Sequence, residues 1–189
     1  TAMEGYDPKD ATSARDISAV PPELLSTDIK GKRIGVPKEF FVDGMDPLVE
    51  KSVRDTIEAL REMGAEIVDI SLPHTKYALE CYYIIMPAEV SANLERYDGI
   101  RYGTRMTGDS LEAIYKNTRG ALFGDEPKRR IMLGSYVLSA GYYEAYYDKA
   151  QRVRTLLRRD FEEAFKQVDA IVSPTAPSVA FKFGEKIND

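Results

Sequence analysis

The sequence predicts an α/β fold in which a thick layer of helices covers part of a mixed β-sheet. Residues 32–70 follow a strand–helix–strand pattern, residues 75–167 show helical periodicity, and a short apolar strand begins at residue 169. Successive strand, helix and strand predict two parallel strands joined by a right-handed crossover. We expect a single partial domain, with a loop-rich lead-in at 1–31 and a final strand and tail at 169–189.

Turn chemistry marks the boundaries of the strand–helix–strand unit. Residues 32–37 form a strand that ends at a proline, which has no amide hydrogen to donate to a sheet. Asp46 followed by Pro47 predicts a helix start, because the carboxylate caps free amides and proline needs no partner there. Gly64 ends the helix, and residues 65–70 then alternate apolar and polar side chains as a strand does.

The helical layer contains four predicted helices. The first includes Pro87, the second is capped by Ser110, and the third is expected to have Asp125 as its cap. The fourth is the longest and carries a clear apolar stripe. The predicted ranges are 75–97, 110–119, 125–140 and 142–167.

Composition excludes several classes of function. The 189 residues are 43% hydrophobic and 30% charged, and the net charge of -5 gives no general attraction to nucleic acid. No apolar run approaches the roughly 20 residues that span a bilayer, so no membrane partner is expected. Cys81 and His74 are the single cysteine and histidine, which leaves no Cys/His metal cluster and no serine–histidine or cysteine–histidine site. One unpaired thiol fits a reducing cytoplasm.

The most informative segment for function is residues 80–103, an apolar helix that leads into an aromatic and arginine-rich loop. Tyr82, Met86, Glu89 and Asn93 share one face of this helix at helical spacing. A buried helix with one polar edge predicts the wall of a polar pocket. We expect Glu89 and Asn93 to hold the following loop in place rather than to contact a ligand.

A basic triplet, Lys128-Arg129-Arg130, follows two acidic residues near the start of the third predicted helix. The plain interpretation is a solvated basic turn. Basic residues in a first turn oppose the helix macrodipole, however, so an arginine there is better explained by a bound anion. A planar guanidinium suits a carboxylate that accepts two hydrogen bonds. The arginines at 152–159 stand on a helix that also carries acidic residues at 148, 160, 162 and 163. This mixture indicates a solvated face, with RNA contact as the less favoured alternative.

Four stretches of the sequence resemble the A subunits of glutamyl-tRNA(Gln) amidotransferases, which belong to the amidase signature family. They are G-Y-D-P-K-D-A-T-S at 5–13, residues 82–103 with the run P-A-E-V-S-A-N-L-E-R-Y-D-G-I-R-Y-G, K-R-R-I-M-L-G at 128–134, and D-A-I-V-S-P-T-A-P at 169–177. Their spacing matches as well, so the resemblance covers nearly the whole chain and separates it from generic amidases.

The resemblance implies a glutaminase subunit that passes ammonia to a B subunit, where glutamate or aspartate misacylated on tRNA is amidated. A small C subunit would wrap the pair. The resemblance implies no cofactor in this chain, because ATP and Mg are used by the partner subunit. The family's Ser–cis-Ser–Lys triad lies in a Gly/Ser-rich signature that this sequence lacks. We therefore expect substrate-positioning residues without the triad, and no glutaminase activity from the chain alone.

By matched position, the resemblance implies that Arg130 binds the α-carboxylate of glutamine and that Tyr82 lines the reaction chamber. Arg129 and Tyr83 are the alternatives one residue out of register. The residues expected to support the pocket are Glu89, Asn93 and Arg129. Three other functions stay open: a plain amidase acting on small amides, an amino-acid-binding module, and a segment that docks partner subunits.

Overall fold

The computed structural model describes residues 5–10, 12–15, 28–101 and 103–186. The predicted lead-in therefore lies largely outside the described residues, as does Tyr102 in the loop after the apolar helix. The strands are β1 (Arg33–Pro37), β2 (Glu66–Ile70) and β3 (Ala170–Ile171). The α-helices are α1 (Pro47–Glu62), α2 (Ala78–Leu94), α3 (Leu111–Leu122), α4 (Asp125–Val137) and α5 (Lys149–Ala164). A π-helical segment spans Tyr143–Asp148, and 3-10 turns span Lys38–Phe40 and Thr75–Tyr77.

The described strands form a parallel sheet in the order β2-β1-β3. Arg33 pairs with Glu66 at one end of the β1–β2 ladder, and β3 pairs with the other edge of β1. Because β1 and β2 are parallel, α1 must cross between them, as the sequence predicts. No antiparallel strand occurs among the described residues, so this part of the sheet is its parallel part.

The boundaries of α1 follow from local chemistry. Asp46 Oδ1 accepts a hydrogen bond of 2.8 Å from the backbone N–H of Leu48, and Pro47 is the first helical residue. Gly64 follows the helix with φ 95°, a conformation that costs glycine little. Ser110 caps α3 in the predicted way, since its hydroxyl accepts from the backbone N–H of Ala113.

The main apolar cluster lies between the sheet and the end of α5. Leu72, just after β2, is fully buried and packs with residues from α5, from the segment after it, and from the sheet. Burying one such side chain stabilises a fold by about 1.5–3 kcal/mol. The buried members of the cluster are Ile70, Leu72, Ala164 and Val168, and Phe40, Val68 and Ile171 pack against them.

Polar side chains form ion pairs and hydrogen bonds that link the strands to neighbouring segments. Asp169 forms an ion pair with Arg33 (2.9 Å), so a side chain at the start of β3 holds the start of β1. Glu39 accepts from the backbone N–H of Leu72 at 3.0 Å. Asp160 of α5 accepts from both the backbone N–H of His74 and its ring Nδ1, each at 2.8 Å, which places His74 in a structural role.

Three details of the predicted helical layer and last strand are wrong. Gly124, not Asp125, is the cap of α4, and Asp125 is its first helical residue. The predicted helix 142–167 is divided into the π-helical segment and α5. The π-helical segment begins two residues after Gly141, whose φ is 84°. The third strand covers only Ala170–Ile171, and the backbone N–H of Val172 makes one further hydrogen bond, to the oxygen of Gly35.

The helical layer leaves much apolar surface exposed. The chain has an accessible surface of 14577 Å², whereas a compact monomer of this length has about 9,000 Å². The exposed side chains include Leu79 and Tyr83 on α2 and Met132 and Tyr136 on α4. No helix among the described residues has both the length and the apolar character needed to cross a membrane.

Candidate functional site

Helices α2 and α4 meet at Gly134, and this contact positions the candidate site. A Cβ atom on Gly134 would lie 1.9 Å from the carbonyl oxygen of Pro87, so the helices can approach this closely only at a glycine. Arg130 precedes Gly134 by four residues and therefore lies on the same face of α4. Arg130 faces Tyr82 and Met86, which precede Pro87 on α2.

Contacts from two helices hold the Arg130 guanidinium. Nη1 donates to Tyr82 Oη at 3.2 Å and contacts Met86 Sδ at 3.4 Å, while Nε donates to Glu126 Oε1 at 2.6 Å. Within the described part of the chain, Nη2 has no acceptor. The side chain is 32% exposed, so the N–H groups of Nη2 are available to an anion. Tyr82 Oη accepts from Arg130, which leaves its own hydrogen free to donate.

Glu126 is shared by two arginines. Its Oε1 pairs with Arg130 and its Oε2 pairs with Arg129. The cluster of Glu126, Arg129 and Arg130 therefore keeps one net positive charge. The spacing of Glu126 and Arg130, four residues apart on a helix, is a sequence signal that identifies this pair, although Glu126 was not among the predicted site residues.

The predicted opposition between the basic triplet and the helix macrodipole is wrong. Helix α4 begins at Asp125, so its first turn holds the acidic pair Asp125 and Glu126, which complements the dipole. The triplet follows that turn, and Lys128 donates to the backbone oxygen of Gly120 at 2.7 Å, near the end of α3. The case for anion binding depends instead on the held guanidinium of Arg130.

Glu89 and Asn93 take no part in the contact between Arg130 and Tyr82. Glu89 accepts from Tyr147 Oη at 2.9 Å, so it links α2 to the π-helical segment and not, as expected, to the loop after α2. Burial and this hydrogen bond raise the pKa of Tyr147. Asn93 is exposed, and its side chain forms no hydrogen bond with a described residue. Tyr83 packs edge-on against Tyr82, with ring centres 5.3 Å apart.

The loop after α2 is held by α3. The Thr118 hydroxyl accepts from the backbone N–H of Met106 at 3.1 Å, and Arg119 donates to the backbone oxygen of Glu95 at 2.7 Å. Asp98 Oδ1 accepts from the backbone N–H of Ile100, and this hydrogen bond lowers the pKa of Asp98. Helix α3 therefore supports the loop in the way that was expected of Glu89 and Asn93.

A cavity of about 560 Å³ lies between α2, the π-helical segment and α5. It is separate from the pair of Arg130 and Tyr82, which lie side by side on the surface and not inside this cavity. Cys81 lines the cavity, but burial raises the pKa of its thiol, and Sγ donates to the backbone oxygen of Ala150 at 3.2 Å. Cys81 is therefore a structural thiol, as predicted.

The arginines of α5 have local partners. Arg152 pairs with Asp148 at 2.7 Å, and Arg158 pairs with Glu162 at 3.0 Å, each one turn away. Both guanidinium side chains are more than two-thirds exposed. These contacts are typical of the solvated helix face predicted for residues 152–159.

The parallel sheet and the helical layer make this chain an α/β protein. The sequence profile of the Amidase family matches residues 1–189, and the chain belongs to this family. The chain is 57% identical over 187 residues to the A subunit of glutamyl-tRNA(Gln) amidotransferase from Chloroflexus aurantiacus, covering 99% of this chain and 38% of that protein. It is 59% identical over 191 aligned residues to the corresponding protein of Rhizorhabdus wittichii, again covering 38% of it.

A solved structure of an amidotransferase A subunit also matches this chain. The crystal structure of the glutamyl-tRNA(Gln) amidotransferase A subunit from Thermotoga maritima superposes with a TM-score of 0.62 at 34% identity, covering 98% of this chain and 35% of that one. The fold class predicted from the sequence is thereby confirmed. The chain spans about two-fifths of the length of the curated relatives it matches.

Proposed function

We propose that this chain is the substrate-positioning part of the glutaminase subunit of a tRNA-dependent amidotransferase. That subunit hydrolyses glutamine, and its ammonia converts misacylated Glu-tRNA(Gln) to Gln-tRNA(Gln). The observation that carries the proposal is the Arg130 guanidinium, which is held through Nε and Nη1 beside the Tyr82 hydroxyl with Nη2 free of described acceptors. The relatives named above support the same identification.

In this proposal Arg130 binds the α-carboxylate of glutamine. Two N–H groups on Nη2 can donate to a carboxylate, and a charge-assisted hydrogen bond is stronger than a neutral one. The Tyr82 hydroxyl is 3.2 Å from Arg130 Nη1 and can donate to the same ligand. The two groups orient the substrate, so its side-chain amide projects away from them towards the reacting groups.

The chemistry itself is assigned to residues outside this sequence. A serine of the family's Ser–cis-Ser–Lys triad forms a bond to the side-chain carbonyl carbon, the C–N bond breaks, and ammonia leaves. Water then cleaves the ester and releases glutamate. Because the sequence has no Gly/Ser-rich signature, the chain alone is expected to release no ammonia from glutamine.

The partners and cofactors follow from the same proposal. The glutaminase subunit would work with B and C subunits and reach tRNA through the complex, in the cytoplasm. ATP and Mg would be used by the partner subunit, which makes the whole assembly a ligase. Nothing in the described residues supplies a cluster of His, Cys, Asp or Glu that could hold a metal ion.

The proposal is tested by Arg130→Ala in the complete subunit. Losing a hydrogen bond to a charged group costs about 1.5–3 kcal/mol, so KM for glutamine should rise roughly tenfold to a hundredfold. The turnover number should change less, because Arg130 does not touch the reacting amide. Steady-state release of ammonia measures both parameters.

Arg152→Ala is the matched control. Arg152 also pairs with a carboxylate one turn away, but it is 80% exposed and contacts no second helix through any described interaction. Its loss should leave the kinetics unchanged. Equal KM values for the two variants would mean that Arg130 does not bind the substrate, and the proposal would fail.

A further inference from the structure

The pair of Glu126 and Arg130 differs from the other ion pairs along the helices. The pairs of Arg54 with Glu50 and Arg152 with Asp148 also join residues four apart, but their arginines are 58% and 80% exposed. Arg130 is 32% exposed, and its Nη1 reaches across to α2. Glu126 therefore fixes one side of a guanidinium whose other side is fixed by a second helix.

We propose that Glu126 is a positioning residue for the substrate carboxylate, acting through Arg130; this inference rests on the proposed function. Glu126 Oε1 accepts from Nε at 2.6 Å, while Tyr82 Oη and Met86 Sδ lie at 3.2 and 3.4 Å from Nη1. These three contacts are made by Nε and Nη1 of the guanidinium. They leave both hydrogens of Nη2 without a described acceptor and remove most of the rotamer freedom of a long side chain before a ligand binds.

Arg129 makes this arrangement compatible with anion binding. A carboxylate paired with Arg130 alone would cancel its charge and compete with the substrate. Here Arg129 pairs with the second oxygen of Glu126, so the three side chains keep one net positive charge. Glu126 thus orients the guanidinium without neutralising the site.

Two opposite effects of Glu126 can be separated by experiment. If its main role is to position Arg130, Glu126→Ala weakens glutamine binding because the guanidinium becomes free to rotate. If its main effect is repulsion of the substrate carboxylate, Glu126→Ala strengthens binding. Glu126→Gln keeps an oxygen that can accept from Nε and removes the charge, so it distinguishes the two roles.

The test is steady-state glutaminase kinetics of the complete subunit. Losing one net hydrogen bond predicts that Glu126→Ala raises KM for glutamine about threefold to tenfold with little change in kcat. Glu126→Gln should recover most of that loss. Asp148→Ala, which removes the comparable partner of Arg152, should have no effect and is the matched control.

A substrate without the α-carboxylate adds a readout that general structural damage would not give. For 4-aminobutanamide, which is glutamine lacking that group, Glu126→Ala and the parent protein should have the same kcat/KM. An unchanged or lower KM for glutamine in Glu126→Ala would overturn the inference, and so would an equal rise in Glu126→Gln. Arg130→Ala is measured in parallel to separate the two proposals. A normal KM for glutamine in Arg130→Ala would contradict the proposed binding of glutamine by Arg130. A raised KM in Arg130→Ala with an unchanged KM in Glu126→Ala would contradict only the positioning role of Glu126.

Discussion

The sheet region (β1, α1, β2, β3 and the end of α5) and the helical layer (α2, α4 and the π-helical segment) are stabilised in different ways. The sheet region has a buried apolar cluster around Leu72 and an ion pair between Arg33 of β1 and Asp169 at the start of β3. The helical layer depends on a close backbone approach at Gly134, and many of its tyrosines and leucines are exposed. The candidate site lies in the helical layer and not at the sheet.

This difference shows that the described residues bury an apolar core at the sheet and expose apolar side chains in the helical layer. A large exposed apolar surface is typical of a face that packs against further protein. The chain spans 38% of the length of the relative from Chloroflexus aurantiacus, and its accessible area exceeds that of a compact monomer of the same length. The sheet region should therefore respond to core mutations like an ordinary domain, and the helical layer should not.

The strongest test of the comparison is Leu72→Ala. Leu72 is fully buried in the sheet region, so its truncation leaves a cavity and should lower the free energy of unfolding by about 2–5 kcal/mol. Urea denaturation followed by circular dichroism measures this change. The free energy should fall without a large change in the denaturant slope, since the native surface changes little.

Leu79→Ala in the helical layer is the matched control. Leu79 is 62% exposed on α2, and the same truncation there should change the free energy of unfolding by no more than about 0.5 kcal/mol. If both variants lose stability equally, the exposed face of α2 is covered in solution, and the contrast between the two regions is wrong.

A smaller effect is expected from Gly134→Ala, which tests the contact that holds the helical layer together. The new methyl group would lie 1.9 Å from the Pro87 carbonyl oxygen, so the two helices must separate. Such overpacking costs about 1–3 kcal/mol. Separation should also break the contact of Arg130 with Tyr82, and tyrosine fluorescence of the variant would report a changed environment.

Gly120→Ala on α3 is the matched control for Gly134→Ala. A Cβ atom at Gly120 would meet nothing within 4 Å. Alanine is favoured over glycine inside a helix by about 0.5–1 kcal/mol, so this variant should be more stable than the parent. A gain at both positions would show that α2 and α4 are not in close contact.

The two regions also differ in how much the sequence predicted. Caps and turns are set by neighbouring residues, so Asp46, Ser110 and Gly64 were identified correctly. The cap of α4 was assigned one residue late because Asp125 has a good capping side chain. Gly124 takes the cap instead, and Asp125 then lies in the first turn, where its charge complements the dipole.

The candidate site was predictable only in part. Tyr82 and Arg130 were selected from a resemblance. The structure places them in contact, but their role in binding glutamine stays a prediction. The approach of α2 to α4 depends on a glycine and a proline that are 47 positions apart in the sequence. A local sequence pattern cannot show that two residues so far apart in the sequence come into contact. The two carboxylate oxygens of Glu126 pair with different arginines. This pairing depends on side-chain packing, which helical periodicity does not specify.

The smallest predicted effect concerns the ion pair that closes the sheet region. Asp169 accepts from the Arg33 guanidinium at 2.9 Å and from the Arg33 backbone N–H at 2.8 Å, and these bonds lower the pKa of Asp169 to about 2. A carboxyl whose pKa is lower in the folded state stabilises the fold when it is ionised. Its contribution is therefore complete above about pH 4 and is lost as the pH falls towards 2.

Asp169→Asn should therefore lower the urea midpoint at pH 7, and the difference from the parent should shrink as the pH falls from 4 towards 2. Asp55→Asn is the matched control, because Asp55 pairs with Lys51 within α1 and links no strands. Both pairs lie at the surface, so a simple charge effect would be similar in the two variants. A larger loss in Asp169→Asn that vanishes in acid would show that the ionised carboxylate, which accepts from the Arg33 guanidinium and backbone N–H, carries the difference. A loss that stays constant down to pH 2 would instead mean that the ionised carboxylate is not what stabilises this edge of the sheet.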